Sequence, residues 1–250
     1  MNLLDLIEFR DFVNNTIIDF HQRRIKSLEE LRIEKLLNKN PYLFKAKNIN
    51  TASELIAGLL QAFLSSSEEK LFGDFLENLA VFIAEKTSGG HKSAAPGVDL
   101  EFLNNGIHYV ISIKSGPNWG NSSQQTKQET DLRQAAARIK QSKLGFNVQP
   151  VLGICYGKTR TIYLRGYLKV VGQNFWYLIS ENKNLFTEII DPIGYRAKEH
   201  NETFLHEKSK AENRMTKQFI DGFCHLDGAI NWGALVEFNS GNFDLEKFLP

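Results

Sequence analysis

The stretch that decides the fold is PGVDLEFLNNGIHYVISIK, residues 96–114. Two runs that alternate between apolar and polar residues, 98–103 and 107–114, flank the dipeptide Asn105-Gly106. An Asn-Gly pair between two such runs is the strongest short-range signal for a β-hairpin, because both residues tolerate the positive φ angles of a two-residue turn. We therefore expect two antiparallel strands here, joined by a type I′ turn.

The two faces of this hairpin are expected to differ in chemistry. A two-residue turn places Asp99 opposite Ser112. Side chains alternate along a strand, so Glu101 and Lys114 share the face of that pair. The hairpin thus brings a carboxylate and an ammonium together, either as a plain salt bridge or as part of a reactive site. The opposite face is predicted to be core and collects Val98, Leu100, Phe102, Ile111 and Ile113.

The rest of the chain predicts an α/β fold with a mixed central sheet. Apolar residues at helical spacing indicate that the first 85 residues are helical, with one helix from Thr51 to Leu64 and another beginning at the serines of 65–67. A mixed sheet flanked by helices is the economical arrangement of these elements. After the hairpin the pattern indicates a helix over 123–143, β-rich runs at 148–156, 161–171 and 175–179, and helices around 184–190 and 198–220.

The composition is that of an ordinary globular chain and excludes several classes of protein. The 250 residues are 42% hydrophobic and 24% charged, with a formal net charge of +1. No apolar run approaches the roughly 18–20 residues of a membrane span, and the first residues carry acids where a signal peptide would be basic. Cys155 and Cys224 have no metal-binding spacing. A zinc module and a disulfide framework are therefore excluded, and a cytoplasmic protein with no membrane partner is expected.

Acidic residues are absent from Leu132 to Ser180, although the whole chain is nearly neutral. A one-sided basic surface suits a polyanion, and the alternative is a solvated face that carries unpaired cations. The basic residues of this stretch are Arg133, Arg138, Lys140, Lys143, Lys158, Arg160, Arg165 and Lys169.

The hairpin carries a pattern that resembles the PD-(D/E)xK nuclease motif. Pro96-Gly-Val-Asp99 resembles its first half, and Ser-Ile-Lys114 resembles its second half. The longer string SIKSGPNWGNSSQ, residues 112–124, resembles type II restriction endonucleases of the PmeII-like branch. Three further stretches resemble the same branch, at residues 40–44, 65–73 and 175–180.

The resemblance implies a domain organisation and an assembly. A restriction-endonuclease-like core with C-terminal helices is expected over residues 86–250. The helical region 1–85 would pack on this core within one structural domain. Because one hairpin supplies one active site, cutting both strands of a duplex calls for two copies, and a homodimer is expected. Residues 1–85 are either the dimer surface or an extra layer on the core.

The resemblance also implies an activity, the Mg²⁺-dependent hydrolysis of phosphodiester bonds in double-stranded DNA at a short specific site. Asp99 would bind the metal, with the carbonyl oxygen of Ile113 as a second ligand. Lys114 would hold or activate the attacking water and stabilise charge on the scissile phosphate. The alternatives are a structure-selective repair or recombination nuclease, and a DNA-binding module on the same core that has lost activity.

Ser112 departs from the motif, because it occupies the place of the second acid and a serine is a poor ligand for Mg²⁺. Three glutamates could supply the missing carboxylate. Glu77 ranks first, since small residues near it would let its helix approach the sheet. Glu129 in the helix after the hairpin ranks second, and Glu101 ranks third. Their alternative roles are a charge in a capping turn for Glu77, an ion pair with Arg133 at i,i+4 for Glu129, and a solvated hairpin edge for Glu101.

The segment after Lys114 is expected to contact DNA. Its amide and hydroxyl groups can donate to phosphates as the chain enters the next helix. Trp119 can equally anchor this loop in the core. The predicted DNA-binding residues are Asn118, Trp119, Asn121, Ser122, Ser123, Gln124, Lys127 and Arg133.

Overall fold

The computed structural model describes residues 1–142 and 147–248 and has a mixed six-stranded sheet flanked by helices. This confirms the predicted α/β class and the helical N-terminal region. The strands are β1 (His91–Lys92), β2 (Leu100–Asn104), β3 (Ile107–Lys114), β4 (Asn147–Ile154), β5 (Ile162–Leu164) and β6 (Tyr167–Val171). The helices are α1 (Leu6–Glu29), α2 (Ile33–Leu37), α3 (Pro41–Ala46), α4 (Ala52–Ser88), α5 (Ser122–Ser142), α6 (Gln173–Ser180), α7 (Leu185–Glu188), α8 (Ile190–Ile193), α9 (Ala197–Phe223) and α10 (Trp232–Phe238), with a 3-10 turn at Leu245–Lys247.

The strand order is β1-β2-β3-β4-β6-β5. The β3–β4 and β4–β6 pairs are parallel, whereas the β1–β2, β2–β3 and β5–β6 pairs are antiparallel. The three parallel strands therefore end at one edge of the sheet, at Lys114, Ile154 and Val171. We call this edge the carboxyl edge. Loops that follow parallel strands are where α/β proteins place their ligand sites.

The predicted hairpin is confirmed, and its pairing follows the predicted count from the turn as far as Leu100 and Ile111. The predicted pairing of Asp99 with Ser112 is not part of this ladder. Asn105 and Gly106 both have positive φ angles, 48° and 74°, as a type I′ turn requires. Leu100 pairs with Ile111 across the two strands. The hairpin is the local element that fixes where the residues of the motif lie.

The expectation that Val98 shares a core face with Leu100 is wrong. Val98 packs with Val110 in the cluster that helix α5 covers, whereas Leu100 and Ile111 belong to a different cluster. The Asp99 amide donates to the Ile111 carbonyl at 2.8 Å, although Ile111 is already the partner of Leu100. Asp99 and Leu100 thus both face Ile111, as in a β-bulge. The alternation of side chains between the two faces of the sheet therefore shifts by one position before Leu100.

The predicted break at residues 65–67 is also wrong, because α4 runs unbroken from Ala52 to Ser88. Its start is correctly predicted, since the Thr51 hydroxyl accepts a hydrogen bond from the Glu54 amide at 3.2 Å. The serines do not end the helix, because a serine hydroxyl can be satisfied inside it. Ser66 donates to the carbonyl oxygen of Ala62, one turn earlier, at 3.2 Å.

Two of the β-rich runs are corrected as well. Residues 175–179 are not a strand but part of α6, where Phe175, Trp176 and Ile179 are buried at helical spacing. The run is fully apolar on one helix face, and such short runs cannot be told from strands by periodicity alone. The run 161–171 is two strands rather than one, separated by a turn at Gly166 with a φ of 96°.

The chain divides into two compact units. The first comprises Met1–Phe20 and Leu71–Ala197 and holds the sheet, and the second comprises His21–Lys70 and Lys198–Pro250. Each unit has its own apolar cluster, built around Phe175 in the first and around Phe219 in the second. This division differs from the expected boundary at residue 85. Across the described residues, no helix is both long and apolar enough to cross a membrane.

We predict an acid-sensitive second unit because of His21. Its ring is buried and stacks on His200 with centroids 4.5 Å apart. Burial, followed by the charges of His200 and Arg24, lowers the pKa of His21 to about 4. As the pH falls, His21 of the unfolded chain binds a proton near pH 6.5, whereas His21 of the folded chain stays neutral until about pH 4. The free energy of unfolding is therefore highest above pH 6.5 and falls as the pH drops toward 4.

The expected loss is on the order of 1–2 kcal/mol of unfolding free energy across that window. Chemical denaturation at several pH values measures it. His21→Gln should flatten the profile, whereas substitution of the exposed His206 should not. A wild-type profile that is flat between pH 6.5 and 4 would contradict the prediction.

Candidate active site

Asp99 lies beside the end of β3, in contact with two of the residues predicted to surround it. Its Oδ2 atom accepts a hydrogen bond from the Ile113 amide at 2.6 Å. The Ser112 hydroxyl donates to the same atom at 3.3 Å. These contacts fix the carboxylate at the carboxyl edge, one and two residues before Lys114.

Ser112 and Lys114 have different surroundings, although both lie on the same face of β3. Ser112 is fully buried, so the position of the second acid holds a neutral donor to Asp99. Lys114 is half-buried, and its Nζ lies 5.5 Å from the centroid of the Trp119 ring. Among the described residues, no carboxylate forms an ion pair with Lys114. Its charge is therefore available to a ligand.

Glu77 comes to this region from α4. Its Oε1 atom lies 3.1 Å from the Nζ of Lys92 in β1. Glu77 raises the pKa of Lys92 through this hydrogen bond and its charge, and the charges of Asp99 and Asp74 add to the effect. The Lys92 ammonium thus pairs with Glu77 and lies near enough to Asp99 for the charge of that carboxylate to raise its pKa further.

Two further observations support this placement of α4. Gly73, one helical turn before Glu77, approaches the chain just after β3, since an added Cβ atom would lie 3.7 Å from the Ser115 side chain. Cys155 directly follows β4 at the carboxyl edge. Burial first, and then the charge of Glu77, raises the pKa of its thiol. The small-residue argument from the sequence therefore agrees with the packing.

The other two candidate acids, like Glu77, also have partners. Glu129 pairs with Arg133 one turn later on α5. Glu101 accepts from Ser93 at 2.5 Å and lies 3.0 Å from the Nε2 atom of the buried His108. Burial would favour the neutral form of Glu101, but these hydrogen bonds and the charge of His108 outweigh it and lower its pKa. Within the described ranges, no group of three or more His, Cys, Asp or Glu side chains is arranged to hold a metal.

The segment after Lys114 is partly committed to capping a helix. Asn121 accepts from the Gln124 amide at 3.0 Å, while its own amide donates to the Gln124 side chain at 2.9 Å. This reciprocal pair is a capping box at the start of α5, so neither side chain is free in the way that the sequence suggested. The exposed residues that remain are Asn118, Ser122, Ser123 and Lys127.

Trp119 has the anchoring role that is one of its two predicted alternatives, and its contact with DNA stays a prediction. The ring is half-buried and packs against the apolar cluster beneath α5, which anchors the loop. It also borders the ammonium of Lys114. Trp119 therefore connects the loop to the lysine.

Arg133 lies away from the carboxyl edge. It is exposed, pairs with Glu129, and borders the turn at Gly166, where an added Cβ atom would lie 3.7 Å from its Nε atom. That turn precedes β6 and is therefore at the opposite end of the parallel strands. Lys143, one of the basic residues of the acid-free stretch, lies outside the described residues.

The loop that follows β4 carries Lys158 and Arg160, whose charges the acid-free stretch suggested for a polyanion without placing them at the carboxyl edge. It packs on the loop after Lys114, since an added Cβ atom on Gly116 would lie 2.7 Å from the Tyr156 ring. The signal was available, because polar and basic residues directly after a buried parallel strand are placed at a ligand edge. Next to this loop is a cavity of about 460 Å³, lined among others by Tyr156, Lys158, Thr159, Gln173, Asn174 and Phe186.

Comparison with known proteins gives one family. The model of a family described as Type II restriction endonuclease EcoO109I matches residues 7–201, which is most of the chain. The match includes Glu77, Asp99, Lys114 and the loop after β4. No curated protein matches the chain. The family model does not test the assignment to the PmeII-like branch, which stays a prediction.

Proposed function

The chain belongs to the EcoO109I family of type II restriction endonucleases, a family of DNA-cleaving hydrolases, and from this premise we propose that it hydrolyses double-stranded DNA at a short specific site with Mg²⁺. We further propose that its active site is of the PD-(D/E)xK type and that Asp99 and Lys114 are its two motif residues. The Asp99 carboxylate carries this proposal, because it is held against Ser112 and Ile113 at the end of β3.

The oxygen donors at this edge suit a hard divalent cation. Mg²⁺ prefers oxygen ligands and keeps several waters, so one or two carboxylates from the protein suffice. Asp99 offers a carboxylate that the Ile113 amide holds in place, and Glu77 offers a second one nearby. Asp99, Glu77 and the carbonyl oxygen of Ile113 would hold the metal, with Glu129 as the second choice for Glu77. When bound, the cation acidifies a water and neutralises charge that develops on the phosphate.

The residues of the chain each have a distinct task in the reaction. Ser112 and the Ile113 amide orient the Asp99 carboxylate, because both donate to the same oxygen. Lys114 has no carboxylate partner among the described residues, so its ammonium can donate to the attacking water or to a phosphate oxygen. In hydrolysis the water oxygen bonds to phosphorus, and the bond from phosphorus to one deoxyribose oxygen breaks. The departing oxygen takes up a proton.

The DNA-contacting surface would be formed by the two loops of the carboxyl edge that pack together. The first is 115–121 and presents Asn118 and Trp119, and the second is 155–161 and presents Lys158 and Arg160, which are both exposed. Positive side chains there would neutralise the negative charge of the DNA backbone near the scissile phosphate. Ser122, Ser123 and Lys127 extend this surface onto the first turns of α5. Asn121 and Gln124 support it through the capping box, and Arg133 contributes at most at a distance.

We predict that Lys158→Ala and Arg160→Ala each weaken DNA binding, because each removes a contact with the phosphates of the DNA backbone. Each lost phosphate contact should reduce the slope of log K against log salt by about 0.9. Fluorescence anisotropy of an uncut duplex at several salt concentrations measures this slope. Arg138→Ala is the matched control, since it removes the same charge from an exposed position late in α5, away from the edge. An equal effect of Arg138→Ala would argue against the assigned surface.

We also predict a homodimer, because one chain supplies one site and a duplex has two strands related by a two-fold axis. Light scattering should give twice the chain mass of 28.5 kDa. The region 1–85 is our choice for the interface, and the exposed apolar side chains of Leu3 and Ile7 support it. A monomer that nicks one strand, at low and high concentration alike, would favour a nickase or repair nuclease instead.

An inactive DNA-binding module is the second candidate, because Ser112 removes one acid from the motif. Incubating a supercoiled plasmid with the protein in Mg²⁺ and in EDTA separates the two functions. We expect linear fragments with defined ends in Mg²⁺ and intact plasmid in EDTA. Binding without cleavage over a range of divalent cations would support the inactive module. Sequencing the ends from a long DNA of known sequence would give the recognition site.

A further inference from the structure

Lys92 lies beside the acids that the proposed metal site requires, and nothing in the family match gives it a role. We propose that Lys92 is a positioning residue that occupies Glu77 in the metal-free protein and competes with the divalent cation for it. The inference rests on the proposed function, because it takes Glu77 and Asp99 as the residues that hold the metal.

The geometry places Lys92 at this position through both backbone and side chain. Its Nζ lies 3.1 Å from the Oε1 of Glu77. Lys92 pairs with Leu100 in the β1–β2 ladder, and the next amide, that of Ser93, donates to the Asp99 carbonyl at 3.2 Å. The strand therefore holds the base of the lysine beside Asp99 while its tip reaches Glu77.

The charges at this position explain how a divalent cation could replace Lys92 as the partner of Glu77. An ammonium and a divalent cation cannot use the same carboxylate oxygen, since the oxygen's lone pairs are shared and the two positive charges repel each other. The Lys92 side chain is 65% exposed, and an ion pair of this exposure stabilises the protein by little. A divalent cation would therefore displace it at a modest cost in affinity.

This arrangement gives the metal-free enzyme a resident counter-ion. Glu77 and Asp99 would repel each other without a cation, and Lys92 reduces that repulsion until a metal arrives. Once displaced, the ammonium is held near the same edge by β1. The consequence that can be measured is a metal affinity lower than the acids alone would give.

The test is a measurement of Mn²⁺ binding to the full chain without DNA. Electron paramagnetic resonance reports the concentration of the free ion. Lys92→Met should bind Mn²⁺ about three- to tenfold more tightly, because it removes one competing charge a few ångströms from the site. Lys92→Arg keeps the charge and should bind as the wild type does. Lys86→Met is the matched control, since it removes a lysine that pairs with Glu8 and not with Glu77, and it should not change the affinity.

The Glu77→Gln background distinguishes competition at one carboxylate from a general effect of charge. Adding Lys92→Met to Glu77→Gln should give a much smaller gain, because the contested oxygen is then neutral. An equal gain in both backgrounds, or unchanged or weaker binding by Lys92→Met, would overturn the role of Lys92. Thermal unfolding of each variant checks that the fold is kept.

Asp99→Asn separates this inference from the proposed function. Weaker Mn²⁺ binding by Asp99→Asn together with an unchanged affinity of Lys92→Met would overturn only the inference. An unchanged affinity of Asp99→Asn would overturn the metal site itself, and the role of Lys92 with it.

Discussion

Asp99→Ala and Lys114→Ala are each expected to abolish DNA cleavage while leaving the fold and DNA binding nearly intact. Asp99 is the carboxylate that the Ile113 amide and Ser112 hold at the carboxyl edge, so its loss removes the proposed principal metal ligand. Lys114 has no carboxylate partner among the described residues, and its loss removes charge stabilisation at the phosphate. Neither side chain fills the apolar core, since both are only half-buried.

Plasmid cleavage with Mg²⁺ and duplex binding without it measure the two properties separately. Lys86→Ala serves as the control, because it also removes a lysine from the first unit but lies at the end of α4. Asp99→Ala should in addition bind Mn²⁺ more weakly. Cleavage near the wild-type rate by either Asp99→Ala or Lys114→Ala would refute the active-site assignment.

Glu77→Gln is expected to reduce the cleavage rate by several orders of magnitude, with partial recovery in Mn²⁺. Glu77 is the candidate acid that acts on the same ammonium as Asp99. Glu129→Gln should instead be mild, because Glu129 pairs with Arg133 within one helix. Breaking such a pair costs about 0.3–0.5 kcal/mol of stability.

Single-turnover cleavage of both variants under the same conditions compares the two glutamates. Because Gln keeps the size of Glu, a difference in rate reports the lost charge rather than a packing defect. If Glu129→Gln were the slower enzyme, the third metal ligand would come from α5 and Glu77 would be only the partner of Lys92.

The hairpin could be predicted from the sequence because its signals are local. Asn105-Gly106 fixes the turn, and the turn fixes which residues face each other as far as Leu100 and Ile111. Asp99, at the bulge beyond this pair, still contacts Ser112 through its side chain. The start of α4 at Thr51 is local in the same sense, since the Thr51 hydroxyl lies three residues from the Glu54 amide that donates to it. Such features depend on neighbours in the chain and not on the rest of the fold.

The features that were missed depend on tertiary packing or on one side chain having two uses. Residues 175–179 lie in a helix that packs Phe175 against Gly153, where an added Cβ atom would lie 2.4 Å from its ring. Val98 lies on the other face of the sheet because of the bulge at Asp99. The alternation of apolar and polar residues in the sequence does not predict this bulge. The Asn121 side chain, chosen as a DNA contact for its polarity, is used by the backbone at the start of α5.

The local origin of the Asp99 contacts has a consequence for how the enzyme would fail on heating. Asp99 and Ile113 are 14 positions apart and joined through a tight turn, so closing this contact costs little chain entropy. Glu77 depends instead on α4 staying against the sheet, through residues such as Leu76 and Ala80. If the helix separates from the sheet before the strands unpair, as local opening allows, one half of the proposed metal site leaves while the other is still formed. Thermal inactivation would then precede thermal unfolding.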